Sequence, residues 1–208
     1  MAYTRGSSSN IIVGAAALFT FEGGTLTDAD LPAYVSGDRY VETLSDDADF
    51  RNVGYTMNGL EIQFQPDFGE VQVDQVLDVA KLYKQGMQVN LNTAFAESTL
   101  ENLLFSLAGK DADLSTVAGN PTMNLSAGDI GECPVERGLV AVGPGTGDCA
   151  IGSELERIYV AYRALSIESV TVSAKRDEAT MFEVSFRLLP NDSASYGKIV
   201  DRTVTPES

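Results

Sequence analysis

The chain contains no histidine. That removes the commonest general base and every Ser-His-Asp or Cys-His arrangement. Acids are plentiful, but no carboxylate pair stands out from the background, so no catalytic role is expected. Cysteine is scarce: Cys133 and Cys149 are the only two. A zinc site needs about four nitrogen or sulfur ligands, and two cysteines without histidine fall short. Free thiols are expected in a reducing cytoplasm, with a late disulfide after release from the cell as the alternative. No cofactor is implied.

Long apolar runs are missing too. None approaches the ~18 residues of a transmembrane helix, so no membrane insertion is expected. The longest, IIVGAAALF at residues 11–19, follows a Ser-rich stretch with a single Arg and is soon followed by Glu22. It lacks the flanks and cleavage site of a signal peptide. It reads as a first buried strand over residues 11–21, in a chain that folds in the cytoplasm of its producing cell. Basic residues are few, 14 Lys and Arg against 30 Asp and Glu, for a net charge of −16. Gripping nucleic acid needs cations on phosphates, so that role is excluded. High solubility, cation binding or repulsion of a polyanion remain.

Two motif-like features fail on spacing. The Gly-Pro-Gly-Thr-Gly stretch at residues 143–147 has no Lys and lacks phosphate-loop spacing, so it reads as a loop. Asp-Ala-Asp occurs three times, beginning at Asp28, Asp47 and Asp111. A calcium loop would close with a Glu at its twelfth position, which here falls on Arg39, Asn58 or Thr122. Turn and cap roles are the plainer reading.

What remains is a normal globular balance, 44% hydrophobic and 21% charged over 208 residues, enough for one sizeable core. Residues 1–10 read as a flexible arm and 11–190 as one domain. Residues 191–208 read as a polar C-terminal arm, mobile until it finds a partner. Asn58-Gly59 suits a type I′ hairpin turn, with both residues at positive φ. Past it, Leu60, Ile62 and Phe64 alternate with Glu61, Gln63 and Gln65. Pro66-Asp67-Phe68-Gly69 is expected to break the run. Val71 and Val73 then alternate with Glu70, Gln72 and Asp74.

Further strands are expected over residues 86–95, 158–164, 167–173 and 181–189, with a turn at residues 175–178. A helix is expected over about residues 98–108. Ser98 and Glu101 form a capping box, Leu100, Leu103, Leu104 and Leu107 make one apolar stripe, and Gly109 sits at the C-terminus. Residues 110–153 read as long loops around short strands, with a Gly-rich loop over residues 138–152. The sum is a mainly-β chain, a β-sandwich or barrel with one flanking helix.

The polar positions between 61 and 75 carry only Glu, Asp and Gln, with no Lys or Arg between Arg51 and Lys81. A chance bias on a solvated face is one reading. The other is a wall that must not hold a passing polyanion, because Lys and Arg trap phosphates.

The phrases DFRNVGYTMNGLEIQFQPDFGEVQVDQ, VAKLYKQGMQVNLNTAFAESTLENLLFSLAG and YGKIVDRTV together resemble a major tail tube protein of long-tailed, non-contractile bacteriophages. The match is clearest over residues 49–109. The resemblance implies a β-sandwich with a flanking helix, hexameric rings stacked into a hollow tube, and inner sheets joined into a negatively lined barrel for DNA ejection. It implies a tape measure protein, a terminator and baseplate or tip proteins as partners, assembly in the host bacterial cytoplasm and residence in the virion tail. Carried onto this chain, Glu61, Gln63, Gln65, Glu70, Gln72 and Asp74 are lumen candidates. Leu60, Ile62, Phe64, Val71 and Val73 would pack outward into the core, and the leucine stripe would be core as well. Residues 1–10, 45–50, 138–152 and the tail after Pro190 are candidate ring-stacking elements. The rival readings are a tail terminator or baseplate hub ring of similar fold, and a soluble acidic cation-binding module.

Overall fold

A strand that is apolar at every position cannot face water on either side. Residues 137–144 read RGLVAVGP and are buried from Arg137 through Gly143. They form a strand at the centre of the molecule, and the rest of the fold is arranged to cover it. The computed structural model describes residues 12, 14–75, 78–125, 130–131, 133–146, 155–173, 176 and 179–204. The expected arm at 1–10, Cys149, the end of the Gly-rich stretch, most of the 175–178 turn and residues 205–208 lie outside these.

The strands are β1 (Ala17–Phe21), β2 (Phe50–Asn52), β3 (Thr56–Val71), β4 (Lys81–Phe95), β5 (Leu114–Val117), β6 (Asn120–Met123), β7 (Arg137–Pro144), β8 (Leu155–Ser166), β9 (Phe182–Leu188) and β10 (Gly197–Thr203). Helices α1 (Tyr40–Asp46) and α2 (Leu100–Ser106) complete the frame. Apart from the small β5–β6 hairpin, the strands join one antiparallel sheet in the order β2-β1-β7-β8-β9-β4-β3. Strand β8 is the branch point. One edge pairs with β7, while the other pairs with β10 at Leu155–Ala161 and with β9 at Ala164–Ser166. The chain is therefore mainly β with a flanking helix, as its pattern implies.

Side chains of β1, β7 and β8 alternate between two cores. Leu18, Leu139, Ala141 and Ala161 join Val89 and Leu91 of β4, Val184 and Phe186 of β9, and Phe105 of α2. Phe19, Val140, Val142, Ile158 and Val160 face the other way, onto Leu26, Tyr40, Leu44 and Phe50. The acidic stretch after β1 is thus a lid over the second core, and α1 is part of it. No helix was expected there. With seven residues it is too short to stand on propensity, and it forms because Tyr40 and Leu44, four apart, are both buried.

Several local expectations are corrected. Residues 138–144 are the buried strand β7 rather than a loop. Gly138 lies so close to Leu26 that a Cβ there would strike it, so the glycine serves close packing. The first strand covers Ala17–Phe21, leaving out residues 12 and 14–16 of the expected run, and residues 167–173 are not a strand. The segment Gly197–Thr203 pairs with β8 over its whole length instead of standing free as an arm. Thr99, not Ser98, caps α2 by accepting from the Asn102 N–H at 3.2 Å. Ser98 donates to the Thr180 carbonyl. Ala108, at φ 51°, takes the left-handed turn expected of Gly109.

A buried ion pair fastens β10 and the acidic lid to β8. Arg202 Nη1 is 2.8 Å from Glu156 Oε1, with the two side chains 12% and 7% exposed. Glu156 also accepts the Tyr40 N–H at the start of α1, at 3.1 Å. Arg202 Nη2 donates to the Val35 carbonyl at 2.6 Å, and its guanidinium lies 4.9 Å from the Tyr34 ring. Removing one partner leaves the other buried and uncompensated. Arg202→Leu is expected to lower stability by about 3 kcal/mol or more, and pairing it with Glu156→Leu to recover part of that loss. Urea unfolding of the two variants checks both. A double variant weaker than the single would show that the pair is not the source of the loss.

Candidate assembly surface

Strands β3 and β4 form a hairpin of 16 and 15 residues, about 50 Å long at the usual rise per residue. It outruns the body of the molecule. Its base is inside: Val89, Leu91 and Phe95 are buried. Strand β9 pairs with β4 only from Phe95 back to Val89, and beyond that the hairpin has no third strand among the described residues. Strand β3 is the edge of the sheet, paired on one side with β4.

The hairpin turn expected at Asn58-Gly59 and the break expected at Pro66–Gly69 are both corrected to irregularities inside the hairpin. Asn58 and Gly59 do take positive φ, 67° and 72°, but within β3, where register shifts between Met57 and Glu61. They make a bulge, and Thr93 Oγ1 of β4 donates to the Gly59 carbonyl at 2.9 Å. Pro66-Asp67-Phe68-Gly69 does not interrupt β3. Pro66 is tolerated on an edge strand, and the irregularity falls on β4, which skips Gln85 between the pairs Asp67↔Gly86 and Phe68↔Lys84.

Because β3 runs through, its two-residue period is never reset. Glu61, Gln63 and Gln65 share one face, and Asp67 joins them. Glu70 falls on the opposite face, opposite Leu82. Gln72 and Asp74 lie past the end of β3, in the connection to β4. The six lumen candidates are all exposed, but only the first three form one surface. That surface widens across the sheet through register pairs: Glu61 with Asn92 and Ser185, Gln63 with Asn90 and Arg187, Gln65 with Gln88. Ser185 Oγ donates to Asn92 Oδ1 at 2.8 Å. Arg187 is a cation on this face that escaped sequence reading because strand pairing alone puts it there, and Lys81 lies on the same face at its far end, opposite Val71.

The opposite face corrects the expected core. Leu60 and Ile62 do pack against the first core. Phe64, on the same face, is 55% exposed, while Val71, which the phase of β3 puts on the Glu61 face, and Val73, past the end of the strand, are 40% and 39% exposed, so none of the three packs into the core. Below the hairpin lies an open groove of about 390 Å³ whose walls include Ile62, Phe64, Met87, Tyr159, Tyr196 and Ile199. Tyr196 donates its hydroxyl to the Met87 carbonyl at 2.5 Å, tying the lead-in to β10 across to β4. In α2, Leu104 is buried and Leu103 packs on the core, Leu100 is half-buried and Leu107 is 46% exposed. The buried face is rotated toward Asn102, Phe105 and Ser106. Phe105 lies 4.7 Å from Phe186.

The acidic repeats act as caps and clips. Asp30 accepts the Thr27 N–H at 2.8 Å and Asp47 the Asp49 N–H at 2.9 Å. Asp28 is 2.7 Å from Lys198 and accepts the Tyr162 hydroxyl at 2.9 Å. The Lys198 ammonium, then that hydroxyl, hold the Asp28 carboxyl below its ordinary value. Arg157 does the same to Asp201 across the β8–β10 pair. Among the described residues no group of His, Cys, Asp and Glu could hold a metal ion, and no helix is long and apolar enough to cross a membrane. Cys133 is exposed and free. The chain matches no protein-family model and no curated protein.

Both clipped carboxyls titrate below their ordinary value of 3.8, so the native state favours the ionised form. Their stabilisation is complete above the unfolded value and fades as pH falls through the lowered folded values. Asp201→Asn is therefore expected to lower the urea midpoint at neutral pH. Its deficit against the wild type should shrink as pH falls from the ordinary value of 3.8 through the lowered folded one. A deficit that stays constant into acid would remove the Arg157 clip as its cause.

Proposed function

We propose that the chain is the tail tube subunit of a long-tailed, non-contractile bacteriophage. The observation that carries this reading is the outer face of the hairpin. It is a long sheet surface of amides and acids whose cations are Arg187 and, at its far end, Lys81, on a chain of net charge −16. A polyanion sliding past such a wall meets repulsion and weak hydrogen bonding, with few cations to release counterions onto.

In this reading six copies make a ring, and the unpaired edge of β3 continues the sheet from one copy to the next. Rings stack head to tail into a tube around a tape measure protein, between tip and terminator proteins. Assembly takes place in the host cytoplasm and the product is the virion tail. The chain's role is structural, with no catalytic step. Glu61, Gln63, Gln65 and Asp67 line the channel, while Glu70, Gln72 and Asp74 are displaced from it by the phase of β3 and by its end at Val71.

Electron microscopy of the concentrated protein tests this directly. Hollow tubes or stacked six-fold rings are expected, with Glu61, Gln63 and Gln65 on the channel wall in a helical reconstruction. Single rings that never stack would turn the assignment toward a terminator or hub ring, and calcium-dependent melting without rings toward a cation-binding module. Virions carrying Glu61→Lys and Asp67→Lys are expected to keep their tails and release DNA several-fold more slowly, because each lysine adds a phosphate contact. Unchanged release would take this face off the channel wall.

A further inference from the structure

An unpaired strand edge is a template for another chain, so proteins control what it can pair with. The hairpin exposes two such edges among the described residues. One is the outer edge of β3. The other is the edge of β4 over residues 81–86. Strand β9 pairs with β4 only from Val89 inward, and the Met87 carbonyl is taken by the Tyr196 hydroxyl.

The two edges carry opposite charge. Strand β3 has Glu61, Asp67 and Glu70 and no Lys or Arg, whereas β4 has Lys81 and Lys84 and no acid. The signs match on each face of the sheet. Phe68 pairs with Lys84 and Glu70 with Leu82, so Glu70 and Lys84 share the apolar face. Lys81, opposite Val71, shares the other face with Glu61 and Asp67. Within the chain Glu70, Lys81 and Lys84 make no ion pair among the described residues, and Lys84 Nζ has only the Met87 sulfur, at 3.8 Å.

This pattern decides how copies can join. Pairing β3 with β3 would set acids beside acids, and β4 with β4 lysines beside lysines, which is unfavourable across a strand pair. Only β3 against β4 brings opposite signs together. One hairpin cannot do this with itself, because its free edges lie on opposite sides. The joint is therefore head to tail, the kind that closes a ring where the rotation between copies allows. A neighbour related by rotation presents its β4 antiparallel to β3, as the hairpin's own β4 is. Polar face then continues into polar face and apolar into apolar.

We propose that residues 81–86 of β4 receive the outer half of β3 from a second copy, with Glu70 of one chain against Lys84 of the next. Phe68 and Leu82, 54% and 60% exposed in the single chain, come together around that pair. Solvent screens it less there than it screens Lys81 and Asp67 on the wet face. The inference rests on the assembly reading above, in which the β3 edge continues the sheet, and names the edge that receives it.

Sedimentation velocity on the full chain tests it with Glu70→Lys, Lys84→Glu and the double variant. Both side chains are exposed, and unchanged thermal melting checks that the fold is kept. Wild type is expected to self-associate with rising concentration. Each single variant should do so about tenfold more weakly. Net charge alone would have Glu70→Lys associate more strongly, since it makes the chain less acidic. The double variant should regain association. So should an equimolar mixture of the two single variants, whose opposite charges meet only between copies. A wild type that stays monomeric at every concentration, single variants that associate unchanged, or a double variant or mixture no stronger than the single variants would overturn the seam. Tubes formed by Glu70→Lys alone would overturn the seam and leave the tube reading standing. Association restored in the mixture without rings or tubes would uphold the seam and count against the tube reading.

Discussion

Three adjacent strands, β1, β7 and β8, are apolar on both faces, and that constraint organises the molecule. Val140 and Val142 point one way, Leu139 and Ala141 the other, and all four are buried. Two separate covers are needed. One is the chain between β1 and β2, acidic on its outer side and apolar at Leu26, Tyr40 and Leu44 within. The other is β9 with the base of the β3–β4 hairpin, wedged by Phe105 of α2. Because β8 meets β10 along one half of its free edge and β9 at the far end, the sheet divides there. That division leaves the outer half of the hairpin without a neighbouring strand among the described residues.

The lid side is secured by polar contacts as well as apolar ones. Glu156 ties three pieces that sequence keeps far apart: its own strand, Arg202 of β10 and the first turn of α1. On the other side Arg137, buried, pairs with Glu22 at 3.3 Å and with Asp111. Asn102 of α2 donates to the Val53 and Glu97 carbonyls and accepts from Arg51. Each of these buried groups is satisfied, and none of the ties spans fewer than five residues. Such contacts specify which segment covers which face, where apolar burial alone is indifferent to identity.

What sequence could reveal follows from the range of each signal. Alternation in β4 and β9 and the leucines of α2 are local, and the structure reproduces the strands and the helix. Glu61, Gln63 and Gln65 do share an exposed face. The phase of Glu70 was not legible, because a Pro-Asp-Phe-Gly stretch ordinarily ends a strand. Only the compensating skip of Gln85 on β4 keeps β3 intact through it. Residues 138–144 looked like loop because glycines flank them, whereas the glycines there admit Leu26 and Ala16 at close range. Phe64 reads as core by pattern, since burial depends on how far the body of the molecule extends beneath the hairpin. Arg187 joins the polar face through pairing with β4, which no local pattern records.

Charge ties the fold to the proposed assembly. Arg51, Arg137, Arg157, Arg163, Lys198 and Arg202 are all spent on ion pairs within the chain. The exterior left over is acidic with few uncommitted cations, which suits a wall beside DNA but also makes copies repel. Repulsion between whole copies is spread over distances well beyond the Debye length of about 8 Å at physiological ionic strength, so salt removes most of it. In the tube reading moderate salt therefore favours association of the chain, contrary to the usual weakening of charge-steered contacts, and the attraction falls to exposed apolar surface such as Phe64, Phe68 and Leu82.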